Sequence, residues 1–208
     1  MPPHVPSVDA LPIDELTPVR KAFVDDLYHR GPMLVKEAKA KYPKVVRELE
    51  KSKITARVKF TSFEVYLLTG AGIRPYGYSV RYNYVPSKTS VTTSIMFRNR
   101  IREYESQGYE VEVYDQYPRR GRHNLFLARK DGKTILVLVR MTFTLSGIRV
   151  IINTLIRDLP TMDAIHAIVL NDDYKDELLN AQSMCGVPFK LFQHPITRFT
   201  REDFSKLK

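Results

Sequence analysis

Residues 123–140 read HNLFLARKDGKTILVLVR, two short apolar runs on either side of a polar turn. An Asp-Gly pair between two such runs is a strong signal for a two-residue hairpin turn. The first run opens on Asn124 and the second closes on Arg140. The segment therefore predicts a β-hairpin, and this hairpin decides how the second half of the chain is interpreted.

The elements around this hairpin predict a mixed sheet with helices. Upstream, SIMFRNRIREYESQG has helical spacing with Ile95, Ile101 and Tyr104 facing inward, and YEVEVYD has the alternation of a strand. Downstream, the order is helix LSGIRVIINTLIRDL, strand HAIVLN, helix DYKDELLNAQSMCG and strand PFKLFQ. Alternating helices and strands indicate an α/β layout with a mixed central sheet.

The hairpin and this order of elements resemble the restriction-endonuclease-like, or PD-(D/E)xK, fold, and most closely its Mrr-type members. The family hairpin reads approximately D-L-I-A-x-x-D-G-K-x-x-x-V-(E/Q)-x-K, with one residue fewer before its Asp-Gly pair than this chain has after Asn124. A later family helix ends in A-x-x-x-G-(I/V), and this chain has AQSMCGV there, with one more residue between the Ala and the Gly. The resemblance covers about residues 94–207. It implies that Asn124 stands at the family's metal-binding Asp, Leu138 at its Glu or Gln, and Arg140 at its catalytic Lys.

The chemistry of that family needs anionic oxygens on two adjacent strands to hold Mg²⁺, which activates water and stabilises the reacting phosphate. Asn124 offers one neutral carbonyl and Leu138 offers no ligand. Arg140 can hold a phosphate, but its guanidinium stays protonated and cannot shuttle a proton. We therefore predict a degenerate site with no catalytic residue, no metal and no cofactor, in a chain that is not an enzyme.

One alternative is an active Mg²⁺-dependent nuclease in which other acids have replaced the missing ones. The upstream candidates are Glu103, Glu105, Glu110, Glu112 and Asp115. Glu110 and Glu112 alternate with inward-facing residues, so they equally fit the solvent face of an edge strand. The five histidines lack the spacing of a zinc site, and Cys185 fits a buried structural thiol.

The first half of the chain predicts three helices followed by a hairpin. Thr17 fits an N-cap before Pro18, and Val19, Phe23 and Leu27 recur at helical spacing up to Gly31. The next elements are helices PMLVKEAKAKY and PKVVRELEKSK and strands ITARVKF and FEVYLLT. Three helices before a hairpin is the order of a winged helix-turn-helix, with the third helix placed to enter a major groove.

The closing strand, VYLLTGAGIRPYG, resembles the winged-helix segment of replication-relaxation family proteins, in which a Y-x-L-T-x-x-G strand end closes the wing. The resemblance covers roughly residues 16–77. It implies a DNA-binding winged helix.

Charge supports the same interpretation. The chain carries a net charge of +10, and residues 33–90 hold 12 Lys and Arg against 4 Asp and Glu, a net charge of +8. Lys44, Arg47 and Lys51 share one face of the third helix, and we expect Arg57 and Lys59 at the hairpin tip. The competing interpretation is a solvated lysine face. The predicted DNA-binding residues are Lys36, Lys39, Lys44, Arg47, Lys51, Arg57, Lys59, Arg74, Arg81 and Arg140.

Residues 73–93 interleave tyrosines with arginines. Tyr76, Tyr78, Tyr82 and Tyr84 alternate with Arg74 and Arg81. Aromatic and basic side chains in this pattern can stack and clamp a single strand. The same period of two equally fits a strand with one core face, so both interpretations stay open here. The following VPSKTSVTTS fits a boundary between domains.

These patterns predict a flexible arm over residues 1–15, a winged-helix domain over 16–90 and a restriction-endonuclease-like domain over 91–208. The fold class is α+β and α/β. We expect a homodimer that binds double-stranded DNA in its replication, regulation or maintenance, with the second domain used for dimerisation or further DNA contact. No apolar run is long enough for a membrane span, and a single cysteine suits the cytoplasm. A protein-interaction scaffold is the third interpretation.

Overall fold

The computed structural model describes residues 16–61, 63–76, 86–113, 124–140, 161–169, 176, 186 and 188–193. The chain divides into two compact units, Met1–Pro86 and Ser87–Lys208. Each unit contains helices and a sheet, so the mixed α+β class is confirmed. In the described ranges, none of the helices has the length and apolar character that crossing a bilayer requires. The expected arm, residues 1–15, lies outside the described residues.

The first unit has the predicted helices and hairpin together with one additional short strand. Its elements are α1 (Pro18–Arg30), β1 (Met33–Leu34), α2 (Val35–Lys41), α3 (Val45–Lys51), β2 (Thr55–Lys59), β3 (Glu64–Leu68), α4 (Gly70–Ile73) and a 3₁₀ turn (Arg74–Tyr76). The three strands form an antiparallel sheet in the order β1-β3-β2. Met33 and Leu34, which we expected in the second helix, instead pair with Tyr66 and Val65.

Helix α1 begins and ends where the sequence predicts, but its buried face is shifted. Pro18 is the first helical residue, and Gly31 takes a φ of 87° while its N–H bonds to the carbonyl of Leu27. Thr17 precedes the helix but makes no capping hydrogen bond through its side chain. Val19 shares the helical spacing of Phe23 and Leu27, but it is 56% exposed, and the buried stripe starts at Phe23.

The core of the first unit forms where α1 meets α2, α3 and the sheet. The ring of Phe23 lies 4.9 Å from that of Tyr42 and 6.3 Å from that of Tyr66. Beside them, the buried carboxylate of Asp26 accepts hydrogen bonds from Lys41 Nζ at 2.8 Å and from the Tyr42 hydroxyl at 3.0 Å. A buried carboxylate needs such partners, and these two tie α1 to the turn between α2 and α3.

The same carboxylate changes the acidity of both partners. Burial lowers the pKa of Lys41, but the hydrogen bond and the charge of Asp26 outweigh this effect and raise it. Burial raises the pKa of the Tyr42 hydroxyl, and the charge of Asp26 raises it further. Lys41 therefore stays charged at neutral pH and serves the internal packing of the unit.

The Thr-Gly-Ala-Gly segment forms a helical corner. The sequence suggested one closing strand through this segment, but β3 ends at Leu68. Thr69 then caps α4, since its hydroxyl accepts a hydrogen bond from the N–H of Gly72 at 3.1 Å. The same hydroxyl donates to the carbonyl of Lys53 at 2.6 Å, and the Thr69 N–H donates to the carbonyl of Ile54 at 3.0 Å. These bonds fasten the corner to the connection between α3 and β2.

Gly72 is required in this corner by close approach. A Cβ at this position would lie 2.3 Å from the carbonyl oxygen of Ile54, which is fixed backbone. We predict that Gly72→Ala destabilises the chain by about 1–3 kcal/mol through this overpacking. Helix propensity alone would predict a stabilisation of about 1 kcal/mol. The sign of the change in unfolding free energy therefore shows which of the two effects is larger. The measurement is the urea unfolding midpoint of the full chain, and a raised midpoint would contradict the prediction.

The second unit contains the predicted hairpin at the centre of a five-stranded sheet. Its elements are α5 (Lys88–Ser106), β4 (Glu110–Val113), β5 (Leu125–Lys130), β6 (Lys133–Arg140), β7 (Ala164–Val169) and β8 (Phe189–Gln193). The sheet order is β4-β5-β6-β7-β8, antiparallel from β4 to β6 and parallel from β6 to β8. The mixed sheet is thus confirmed. The helices expected near residues 145–159 and 173–186 lie outside the described residues, apart from helical Asp176 and from Gly186, which lies in a bend with a φ of 69°.

The hairpin turn has the conformation that Asp-Gly favours. Asp131 and Gly132 have φ values of 51° and 73°, both in the left-handed region, and join the paired residues Lys130 and Lys133. Two positive φ values give a turn whose twist matches that of the flanking strands. The two-residue turn fixes the register of β5 against β6, so Leu125 pairs with Leu138.

Helix α5 is longer than predicted. We expected a domain boundary at residues 85–94, but the helix begins at Lys88 because the Ser87 hydroxyl accepts a hydrogen bond from the N–H of Ser90 at 3.2 Å. The two units divide between Pro86 and Ser87, within the expected stretch, whereas the domain bound expected at residue 90 falls inside α5. Ile95, Ile101 and Tyr104 are buried as predicted.

The sequence pattern did not reveal two buried polar side chains, Arg98 of α5 and His166 of β7. Arg98 is only 2% exposed. Tyr104 of α5 lies with its hydroxyl 2.7 Å from Nδ1 of His166 on β7. Burial raises the pKa of Tyr104 to about 12, so its hydroxyl stays protonated and can donate to the ring. Burial, assisted by the charge of Lys190, lowers the pKa of His166 to about 4.

This histidine predicts a pH dependence of stability. Because the folded state disfavours the charged ring, His166 costs no stability above its unfolded pKa of about 6.5 and destabilises the fold as pH falls from there through about 4. The loss approaches about 1.4 kcal/mol per pH unit. His166→Gln keeps an acceptor for Tyr104 but does not titrate, so its unfolding free energy should fall less between pH 7 and pH 4.5. Equal losses in both proteins would assign the effect to other groups.

Candidate nucleic-acid interface

The exposed face of α3 carries the three cations that the sequence predicts there. Val45, Val46 and Leu49 are buried, and this anchoring leaves Lys44, Arg47 and Lys51 exposed to solvent. The structure therefore brings the predicted cations of this helix to one face.

An acidic residue shares that face. Glu48 lies one helical turn from both Lys44 and Lys51 by spacing, and it is exposed. Its carboxylate accepts from Arg20 of α1 at 2.9 Å from Nε and at 2.6 Å from Nη2. Arg20 thus neutralises one of the two acidic side chains of this helix. Arg20 is absent from the predicted site residues, because only the packing of α1 against α3 reveals its role.

The two hairpin cations lie at different distances from the turn. Lys59 is the last residue of β2 and pairs in register with Glu64. Arg57 lies two residues further from the turn, opposite Tyr66, so its predicted place at the tip is wrong. Its side chain extends diagonally to Glu64, where Nε donates to Oε2 at 3.0 Å and Nη2 donates to the same oxygen.

Charges from α2, α3 and β2 act on the Glu64 carboxyl or on the Tyr66 hydroxyl. The hydrogen bond from Arg57 lowers the pKa of the Glu64 carboxyl; burial opposes this, and the charges of Arg57, Lys59 and Lys39 lower it further. Burial raises the pKa of the Tyr66 hydroxyl, as does Glu50, whereas Arg57 and Arg47 lower it. We call these exposed cations of α2, α3 and β2 the basic surface. It consists of Lys39, Lys44, Arg47, Lys51, Arg57 and Lys59.

Most of these cations have no internal partner among the described residues. In that part of the chain, Arg57 is the one member of the basic surface whose side chain forms a hydrogen bond or an ion pair. Lys36 of α2 is exposed as well. The surface can therefore neutralise an external polyanion without breaking many internal contacts.

The remaining predicted binding residues lie elsewhere in the fold or outside the described ranges. Arg74 is exposed in the 3₁₀ turn. Tyr76 stacks on Tyr28 with ring centroids 3.7 Å apart, and its hydroxyl donates to Asp25 at 2.6 Å, so this tyrosine packs against α1. Arg81, together with Tyr78, Tyr82 and Tyr84, lies outside the described residues.

Asn124, Leu138 and Arg140 all lie at one end of the β5–β6 pair. The carbonyl of Asn124 accepts from the N–H of Val139 at 3.0 Å, which places Asn124 across from the residue between Leu138 and Arg140. Asn124 has a φ of 50°, and its buried Oδ1 has no hydrogen-bond partner among the described residues. Leu138 is 3% exposed and pairs with Leu125. Burial lowers the pKa of Arg140.

The acids that could replace the missing ligands lie on exposed positions. Glu110 and Glu112 face solvent on edge strand β4, and Glu112 accepts from Arg129 at 2.6 Å. Glu103 and Glu105 are exposed near the end of α5. Asp115 lies outside the described residues. In the ranges that the structure describes, no group of three or more His, Cys, Asp or Glu side chains is placed to hold a metal ion.

No family model, curated protein or solved structure matches the chain.

Proposed function

We propose that the first unit is a winged helix-turn-helix that binds double-stranded DNA. The observation that carries this proposal is the basic surface, six exposed cations on α2, α3 and β2, of which Lys39 acts on the Glu64 carboxyl and Arg47 on the Tyr66 hydroxyl. The succession α1-β1-α2-α3-β2-β3 with sheet order β1-β3-β2 supports it, because that arrangement sets a hairpin beside the third helix.

In this proposal α3 enters the major groove and the β2–β3 hairpin lies along the adjacent backbone. Lys44, Arg47 and Lys51 face the DNA on α3, while Lys39 and Lys59 contact phosphates at its sides. Phosphate neutralisation supplies most of the affinity, so binding weakens steeply with salt. Lys36 and Arg74 are further candidates at the margins, and Arg81 belongs to the same proposal although it lies outside the described residues.

We propose that the second unit is a restriction-endonuclease-like domain without nuclease chemistry. Leu138 supports this, because a leucine paired with Leu125 fills a buried position where a carboxylate would serve a metal. Arg140 would act there as a fixed positive charge toward a phosphate. The domain would contribute dimerisation or further DNA contact. A homodimer would let two winged helices address two half-sites related by twofold symmetry.

Replacing Lys44, Arg47 and Lys51 together by Ala tests the DNA interface. We expect weaker binding to a random-sequence 20-base-pair duplex, with the slope of log affinity against log salt reduced by about one for each phosphate that is no longer neutralised. The matched control replaces Lys21, Lys88 and Lys133 by Ala, which removes the same charge from exposed positions outside the basic surface. Equal weakening in both variants would show a general charge effect and would refute the assigned interface.

The proposed loss of nuclease chemistry predicts that supercoiled and linear DNA stay intact with excess protein in Mg²⁺ or Mn²⁺. The reason is that Asn124 and Leu138 supply no carboxylate to the metal position. Wild type and Arg140→Ala should give the same intact DNA on a gel. Metal-dependent nicking by the wild type that disappears in Arg140→Ala would show that the chemistry survives by another route.

A further inference from the structure

Glu64 places a negative charge inside the basic surface. Its carboxylate is the acceptor for Arg57, and its side chain is 27% exposed at the end of the hairpin. Two other acids near this surface are engaged differently: Glu48 binds Arg20 of α1, and Glu50 accepts from the Tyr66 hydroxyl at 3.4 Å. Of these three acids, Glu64 is the one whose ion-pair partner, Arg57, belongs to the basic surface.

The geometry of this pair resembles a guanidinium holding one phosphate oxygen. Nε and Nη2 of Arg57 both donate to Oε2 of Glu64. A planar guanidinium offers this donor arrangement equally to carboxylates and to phosphates. The carboxylate thus lies where an external anionic oxygen would be bound by Arg57.

Two further cations lie around the same carboxylate. Lys59 pairs in register with Glu64 across the hairpin, and Lys39 of α2 is close enough for its charge to act on the Glu64 carboxyl. Both lysines are exposed. One carboxylate among three cations leaves an excess of positive charge, which an anion with more charge, such as a phosphodiester chain, would neutralise better.

We propose that Arg57, Lys59 and Lys39 form a phosphate-binding subsite and that the Glu64 carboxylate occupies it as an internal competitor in the free protein. This inference rests on the proposed DNA-binding function. A DNA phosphate takes the place of the carboxylate, and Glu64 limits how tightly the surface holds any polyanion. Because an exposed ion pair contributes little to stability, DNA can displace the carboxylate at small cost.

The test is Glu64→Gln, which removes the competing charge and keeps the size of the side chain. The matched control is Glu112→Gln, which breaks a similar cross-strand Arg–Glu pair on β4 and changes the net charge equally. The probes are a random-sequence 20-base-pair duplex and a short linear polyphosphate, each titrated into the full chain at two salt concentrations. Unfolding midpoints verify that both variants fold.

We expect Glu64→Gln to bind both probes about two- to fivefold more tightly than wild type, because the probe no longer has to displace one exposed ion pair. For the duplex the salt slope should steepen by about one, because one more phosphate contact forms. Glu112→Gln should stay near wild type. Adding Arg57→Gln to Glu64→Gln should remove most of the gain, since the released guanidinium is its main source.

The outcomes separate this inference from the function on which it rests. If Glu64→Gln gains no more than Glu112→Gln on either probe, the internal competitor is refuted. If the gain survives when Arg57 is replaced, the subsite as assigned is refuted as well. A gain on polyphosphate with no duplex binding by any of the proteins would refute the proposed DNA-binding function and leave the anion subsite standing.

Discussion

The close approach of Gly72 to the carbonyl of Ile54 is the constraint on which the proposed interface depends. Ile54 joins the end of α3 to the start of β2, and the α4 corner holds its backbone through Thr69 as well. The contact between Gly72 and Ile54 therefore fixes both the direction of α3 and the position at which β2 begins. The cations of α3 and β2 can form one surface because this junction allows little freedom between the two elements.

The distribution of acids decides what that surface can bind. Asp26 is buried and keeps Lys41 for internal packing, whereas Glu48 is neutralised by Arg20 from α1. Glu64 is the acid whose partner, Arg57, belongs to the basic surface. Affinity for a polyanion thus depends on which cations the internal acids engage, and the net charge of a sequence segment does not show this. In the second unit, the end of the β5–β6 hairpin carries Asn124 and Leu138, and neither residue is a carboxylate.

Local signals predict most of the described elements, and tertiary contacts account for what they do not reveal. The Asp131-Gly132 turn and the buried face of α3 follow from local geometry, so the sequence is sufficient for both. Arg20 and Asp26 have partners 28 and 15 or 16 residues away, which spacing cannot identify. The tip position expected for Arg57 is wrong because alternation shows which face a residue is on, whereas its distance from the turn depends on register. The cap at Ser87 escapes prediction because the segment after it has weak helical propensity.

The most direct test of the proposed interface is a lysine footprint of the full chain with and without duplex DNA. Acylation of exposed amines, read by mass spectrometry, reports which side chains the DNA covers. We predict strong protection of Lys39, Lys44, Lys51 and Lys59, with Lys21 of the same unit remaining reactive. Protection of Lys21 equal to that of these four, or no protection of the α3 lysines at a duplex concentration that saturates binding, would contradict the proposed interface.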